Sequence, residues 1–453
     1  MSAHPAVARY AEHLNPAFVK LLGAFGYGRV FVRARGATLW DHEGREYLDF
    51  LAGFGAVNLG HNHPRLRERL REFLLEDAPN LIHVGPPVHA AELAAELARR
   101  ADPLTLCLLS SSGAEAVETG LKLARAVTRR PGVVYCARSY HGLTLGALSV
   151  TGVARMRAPF APLLTDCHEV PFGDLEALDR VLSRRKVGAF VVEPILGEGG
   201  VVLPPPGYLA AAQELCRRRG ALLVLDEVQT GLGRTGTLFA YQAEGFVPDV
   251  LVLGKALGGS LTPMSATLTT PAFHARAFGT AERFDLHGST YSGNALACVT
   301  ALETLRILDD EALVRAGAER GRRLLGGLTR ALAGHPLVRA VRGRGLLVAV
   351  ELGPTDQGVL NRVLPGMVEA VSRRVFGQWL ALRLLEEGIV AQPATQAWDV
   401  LKLTPPLTVS EAEIDRAVTA VATILAEYRD LPPLLRDVGR RLGRQYQRGW
   451  PFG

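Results

Sequence analysis

Lysine is nearly missing from this chain. Among 453 residues there are five, Lys20, Lys122, Lys186, Lys255 and Lys402, so 46 of the 51 basic residues are arginine. A lysine set inside an apolar segment therefore stands out. Cysteine is as scarce: Cys107, Cys136, Cys167, Cys216 and Cys298 lie far apart without a CxxC spacing. That pattern excludes a disulfide framework and a zinc finger, and reads as reduced, mostly buried thiols. No stretch of 18 uncharged apolar residues occurs, and residues Met1 to Tyr10 combine neither a basic run nor an apolar one. Neither a membrane span nor a secretion signal is expected, and the expected compartment is the cytoplasm. Repeats and low-complexity tracts are also lacking.

What is present is ordinary globular composition, 48% hydrophobic and 21% charged, which excludes disorder, collagen and coiled coil as descriptions of the whole chain. The length allows about three domains. The net charge of +6 is concentrated at the end: Arg436, Arg440, Arg441, Arg444 and Arg448 against Asp437 put +4 of it in residues 431–453. The nearly neutral remainder gives no footprint for nucleic acid.

Partly alternating runs from Phe31 to Asp41 and Tyr47 to Phe50 predict short antiparallel strands. From 64 onward helical patterns (64–76, 89–101, 114–128, 175–184, 208–219) alternate with β-rich runs (104–109, 133–137, 189–193, 221–226, 250–253). This predicts an α/β fold with a mostly parallel sheet covered by helices. Beyond about 290 the pattern turns α+β, with helices over 294–308, 312–332 and 411–428 and strands at 346–351 and 400–403. The expected division is an N-terminal segment, 1–63, contributing to a small domain; a large domain, 64–300; a C-terminal part of the small domain, 301–430; and a basic tail, 431–453. The N-terminal strands are expected to complete the C-terminal sheet, Pro354 to Phe376 reads as an inserted loop, and the tail reads as an amphipathic surface helix packed on its own subunit.

Four turns carry chemistry. The strand Ala221–Asp226 ends in a carboxylate, where an unpaired charge would be costly, so Asp226 needs a cation or strong donors; a helix cap or an ion pair with Arg234 would also satisfy it. Lys255 follows the apolar strand Val250–Leu253 directly and precedes glycines, a setting in which desolvation lowers an amine's pKa and makes it nucleophilic, unless the side chain simply reaches for solvent. The turn Ser112-Gly113-Ala114 opens a helix, where free amides and the helix dipole bind phosphate. Tyr140 places a ring at another strand end, although loop packing explains it equally. Together the four suit a phosphorylated aromatic aldehyde with a ring nitrogen, pyridoxal 5′-phosphate.

The ordered motifs extend further: 58–64 (NLGHNHP), 112–116 (SGAEA), 140–142 (YHG), Glu193-Pro194 with 197–200 (GEGG), 226–231 (DEVQTG) with 233–236 (GRTG), Lys255, and 287–294 (HGSTYSGN). On these the chain resembles the class III aminotransferases, the ornithine and ω-amino acid group of the fold type I pyridoxal-phosphate superfamily, over about 25–430. The resemblance implies a homodimeric, PLP-dependent enzyme that moves an amino group from a glutamate-like donor to an aldehyde or 2-oxo acid through a Schiff base on Lys255, which also carries the proton. It implies that Asp226 holds the ring nitrogen protonated, that Tyr140 and Val228 sandwich the ring, that Gln229 bonds the ring oxygen and that Glu193 orients the site. It further implies phosphate contacts from Gly113 and Ala114 and, from the partner subunit, Thr290; Ser112, His141 and Ser289 complete the cofactor-binding set. No metal is implied.

Two positions depart from the family. Leu143 stands where ornithine-type members carry the arginine after His-Gly, which removes a carboxylate anchor. Lys402 replaces the arginine before the Pro-Pro-Leu segment, keeping the charge but losing the bidentate fork. A pair between Lys402 and Glu198 is expected to open for an amino acid's carboxylate, with the second substrate an aldehyde or ω-amine such as a putrescine-like diamine; a solvated strand-end lysine is the alternative for Lys402. Racemases and an aminomutase of the same family, and a non-catalytic cofactor-binding partner protein, are the competing functions.

Overall fold

In a computed structural model, which describes residues 4–24, 27–353, 365–429 and 431–447, the alternating segments form a seven-stranded sheet. Its order is Leu106–Ser110, Ser265–Thr269, Val250–Leu253, Leu222–Asp226, Val187–Val192, Gly132–Cys136 and Cys167–Val170. The last five strands in this order pair in parallel. Ser265–Thr269 is antiparallel to both of its neighbours. Leu106–Ser110 therefore points the same way as the parallel set, and the carboxyl ends at Ser110, Leu253, Asp226, Val192 and Cys136 share one edge.

The parallel runs are apolar without alternation because both faces are covered, and Val187–Val192, Leu222–Asp226 and Val250–Leu253 are buried throughout. On one face lies the helix Gly113–Thr128, which buries Val117, Leu121, Leu123, Ala124 and Val127. Full burial of a Val or Leu contributes roughly 1.5–3 kcal/mol, so such an interface fixes where the helix begins. Its start is set by a capping box, in which Glu115 N donates to Ser112 Oγ and Ser112 N donates to the Glu115 carboxylate.

Two four-stranded sheets complete the strand inventory of the described residues. One comprises Phe31–Arg35, Thr38–Asp41, Glu46–Asp49 and Ile389–Val390; the other comprises Val338–Arg344, Leu347–Leu352, Ala397–Leu403 and Gln392–Ala394. The N-terminal strands thus form a sheet of their own, joined in parallel by Ile389–Val390, and do not extend the C-terminal sheet as the sequence suggested. The expected loop over 354–376 is also corrected: a helix spans Pro365–Glu386, with Phe376, Trp379, Leu380 and Leu384 at helical spacing in the core, while 354–364 lie outside the described residues. Strand Ser265–Thr269 was not anticipated, because its Ser-Ala-Thr-Leu-Thr composition lacks the long apolar run of its neighbours. The basic tail forms helix Leu431–Gln447, packed on its own chain through buried Leu434 and through Asp437, which accepts from Trp379 Nε1 at 2.9 Å.

Candidate active site

The carboxyl edge of the central sheet is where an open α/β fold places a ligand, and four strands and a helix deliver side chains there. Asp226 is the last residue of its strand and is 4% exposed. Its Oδ2 lies 2.7 Å from Nδ1 of His141, and its Oδ1 accepts from Val228 N at 3.0 Å. Arg234 is not its partner, which corrects one reading of the sequence. That guanidinium is itself fully buried and donates to the carbonyls of Leu346 and Pro405 and to Asn58 Oδ1. Burial opposes a charge on His141, but the hydrogen bond and charge of Asp226 prevail and raise its pKa. The structure thus pairs Asp226 with a histidine whose protonated form it favours.

Lys255 follows its strand in a left-handed conformation, φ +43°, which costs a residue bearing a β-carbon about 1–3 kcal/mol. Dense surroundings pull its amine's pKa below the ordinary lysine value, with Glu198 opposing and Lys402 adding to the shift. The preceding glycine abuts the phosphate-type turn: a β-carbon on Gly254 would stand 3.3 Å from Val228 and 3.4 Å from Gly113 Cα. Lys255, Val228 and the start of helix Gly113–Thr128 are therefore neighbours. Gly113 is required there, since its own β-carbon would meet Val228 at 2.8 Å.

Tyr140 is half-buried, and its amide donates to Glu193 Oε1 at 2.9 Å, while Glu193 Oε2 accepts from Gly197 N at 3.2 Å. Glu193 thereby holds two loops at once. Burial pushes its carboxyl up to about 7, with His141 opposing and Asp226 reinforcing. Glu198 receives Gln229 Nε2 at 3.1 Å, Thr395 N at 3.2 Å, Thr395 Oγ1 at 2.9 Å and the ammonium of Lys402. Burial would raise the Glu198 carboxyl, but the charges of Lys402 and Lys255 outweigh it and hold it at about 2. Lys402 is 0% exposed, which overturns its reading as a solvated strand-end residue, and its ammonium also lies 5.4 Å from the centre of the Phe54 ring. Gln229 Nε2 donates to the Phe54 carbonyl at 2.9 Å.

The sequence reading did not reach Thr395 or Phe54. Nothing in the local pattern marks Thr395, which meets Glu198 across 197 residues; Phe54 lay within a glycine-flanked run next to the 58–64 motif. Leu143 is 59% exposed, two residues after His141. Ser289 and Thr290 are exposed on the loop before helix Ala295–Asp310, and that loop is tied to helix Gly113–Thr128 by His287 Nε2 and Thr119 Oγ1 at 2.6 Å. Among the described residues neither Ser289 nor Thr290 bonds to the Lys255 cluster. No metal-ligand cluster occurs among the described residues, and none of their helices is long and apolar enough to cross a membrane.

The residues at this edge fit pyridoxal phosphate by their unmet valences. His141 Nε2 and Gln229 Oε1 are buried without a hydrogen-bond partner among the described residues, which is costly unless a ligand or water completes them. The amides of Gly113 and Ala114 head a helix and have no acceptor among the described residues, suiting a phosphate. The desolvated Lys255 amine and the Asp226 carboxyl group supply the other two groups such a molecule needs.

The family model for class III aminotransferases matches residues 25–425. Aminotransferase PigE of Serratia sp. (strain ATCC 39006) is 40% identical over 451 residues, covering 92% of this chain and 53% of that protein, so the chain spans about half the length of this curated relative. An ornithine aminotransferase from Toxoplasma gondii, crystallised in the presence of oxidised glutathione with PLP at partial occupancy in its active site, superposes with a TM-score of 0.77 at 33% identity, over 89% of this chain and 91% of that one. A thermostable (S)-enantioselective ω-transaminase from Thermomicrobium roseum superposes with a TM-score of 0.82 at 32% identity, over 94% and 99%.

Proposed function

The chain belongs to the class III aminotransferases, and from that premise we propose that it is a PLP-dependent transaminase whose working residues are those gathered around Lys255. The observation that carries this reading is the meeting of a desolvated lysine, an Asp226–His141 pair and the amides at the start of helix Gly113–Thr128 on one sheet edge. Pyridoxal phosphate, when bound, supplies an aldehyde that exchanges amino groups and a ring that accepts an electron pair.

The remaining chemistry belongs to the chain. Lys255 Nζ, its pKa lowered by burial, would act as the nucleophile and then take and return a proton. Asp226, held beside His141, would keep a proton on the ring nitrogen. Gly113, Ala114 and Ser112 would receive the phosphate, and Tyr140 and Val228 would bracket the ring. Gln229 would bond the ring oxygen. Glu193 sets Tyr140 and the 197 loop through its two hydrogen bonds.

Substrate choice follows from Glu198, Lys402 and Leu143. The buried Lys402–Glu198 pair can present Lys402 to a donor's carboxylate when it opens, as for a glutamate-like amino acid, while exposed Leu143 offers no second carboxylate anchor. The acceptor is then an aldehyde, or its ω-amine counterpart, without a carboxylate near the reacting carbon. Adding candidate amines singly to the purified protein while following its visible absorbance tests this. Amino acids and simple diamines are expected to bleach the cofactor band, and a strong preference for ornithine over diamines and aliphatic aldehydes would contradict the role of Leu143. The relatives reported above are transaminases or aminotransferases, which favours transfer over racemisation, aminomutation or bare cofactor binding.

The same reading includes a homodimer in which Thr290 serves the partner's site, and a division into a large domain over 64–300 and a small one built from 1–63 and 301–430. Its support is the exposure of apolar side chains in and just before the Thr290 loop, Phe284 at 71% together with Leu286 and Tyr291. Sedimentation is expected to give twice the chain mass of 48.7 kDa, and a monomer that retains full activity would refute it. The five free cysteines, three of them buried, suit a reducing compartment such as the cytoplasm.

A further inference from the structure

Apart from the Lys255 cleft, a cavity of about 820 Å³ opens between strand Phe31–Arg35 and the start of helix Pro64–Phe73. Its lining includes Arg33, Arg35, Arg67, Arg71, Glu68 and Asn62. The charges are unbalanced. Glu68 is already engaged by Arg71 at 2.6 Å, whereas the side chains of Arg35 and Arg67 have neither an ion pair nor a hydrogen bond among the described residues. The Arg33 guanidinium carbon lies over the Trp40 ring, 3.8 Å from its centre, and the Glu46 carboxylate accepts from Trp40 Nε1 at 2.7 Å. Many other arginines of this chain are matched, as Arg65 is with Glu303, Arg100 with Asp309 and Arg323 with Asp415. Here three cations face one concave space. Asn62, whose Nδ2 donates to the Ala34 carbonyl at 2.9 Å, ties the two walls together, and His63 leaves the helix start without a side-chain cap.

We propose that this groove binds a small polyanion bearing at least two adjacent phosphoryl groups. The volume lies within the range of small-molecule sites. Planar guanidinium forks match phosphoryl oxygens two at a time, which a lysine does not, and stacking on an aromatic face fixes the plane of Arg33 while leaving its N–H edges free. A single carboxylate would leave two of the three cations unanswered. The walls are exposed, so binding is salt-sensitive. None of these residues belongs to the proposed transaminase machinery, so the site stands or falls independently of it.

The test is calorimetric titration of inorganic pyrophosphate into the cofactor-loaded protein at fixed ionic strength. One saturable site per chain is expected. Arg35→Ala/Arg67→Ala should weaken it by at least about tenfold, the loss expected for two charge-assisted contacts, with the cofactor's absorbance unchanged. Arg436→Ala/Arg440→Ala, which removes two exposed cations from the C-terminal helix, should leave it intact. Absence of saturable binding, an undiminished affinity in the groove variant, or an equal loss in the C-terminal variant would each overturn the proposal. Binding of long polyanions such as heparin without pyrophosphate would do so as well.

Discussion

Lys255→Ala is expected to lower the rate of amino transfer by about four to six orders of magnitude, the scale of losing a nucleophile that also moves the proton. Borohydride reduction of the loaded variant should leave no adduct on the peptide containing residue 255. The physical case is positional. Lys255 is drawn out of water at the sheet edge with its pKa lowered, in a backbone conformation that only a well-packed turn sustains. Of the other four lysines, the one that shares its surroundings is Lys402, and that ammonium is engaged by Glu198. Rapid turnover by the variant, or an adduct on Lys402, would contradict the assignment.

The second large effect concerns that buried pair, and the two partners are not equivalent. Glu198 has donors to spare, since Gln229 and Thr395 supply three hydrogen bonds besides Lys402. Lys402 has Glu198 and the face of Phe54. Glu198→Gln strands a buried cation and should destabilise the loaded protein by about 3–5 kcal/mol, whereas Lys402→Met leaves a carboxylate that is still hydrogen-bonded and should cost about 1–3 kcal/mol. The double replacement should recover most of the loss, because two charges leave the interior together. Shifts in the urea unfolding midpoint measure all three, and equal costs for the two single variants would count against this account.

The pH dependence has a definite sign. The carboxyl of Glu198 is held at about 2 in the fold against an ordinary value of 4.5, so its contribution is complete above pH 4.5 and disappears as the pH falls from there toward 2. In Glu198→Gln that part of the acid sensitivity should be absent.

The periodicity of the sequence located most helices of the central region to within a few residues, and two of them, Leu175–Arg184 and Tyr208–Arg219, to the residue. This worked because each of those segments carries its own pattern and its own boundary residues. Prediction failed where the signal was weak or interrupted. Ser265–Thr269 is buried through its neighbours rather than by its own hydrophobicity, and helix Pro365–Glu386 begins after an unpatterned stretch that hid its register.

At the site, local composition was enough to single out Lys255, Asp226 and the Ser112–Ala114 turn, because a lysine or carboxylate at the end of an apolar strand is conspicuous in any fold. Whom each side chain meets was decided only by tertiary structure. Asp226 finds His141 and not nearby Arg234, Glu198 finds Lys402 and Thr395 some 200 residues away, and Arg234 is left to join segments 58, 346 and 405. Sequence order carries burial and periodicity, which are properties of short segments. Partner choice depends on which strand ends the sheet order brings side by side, and that order arises only when the whole chain packs.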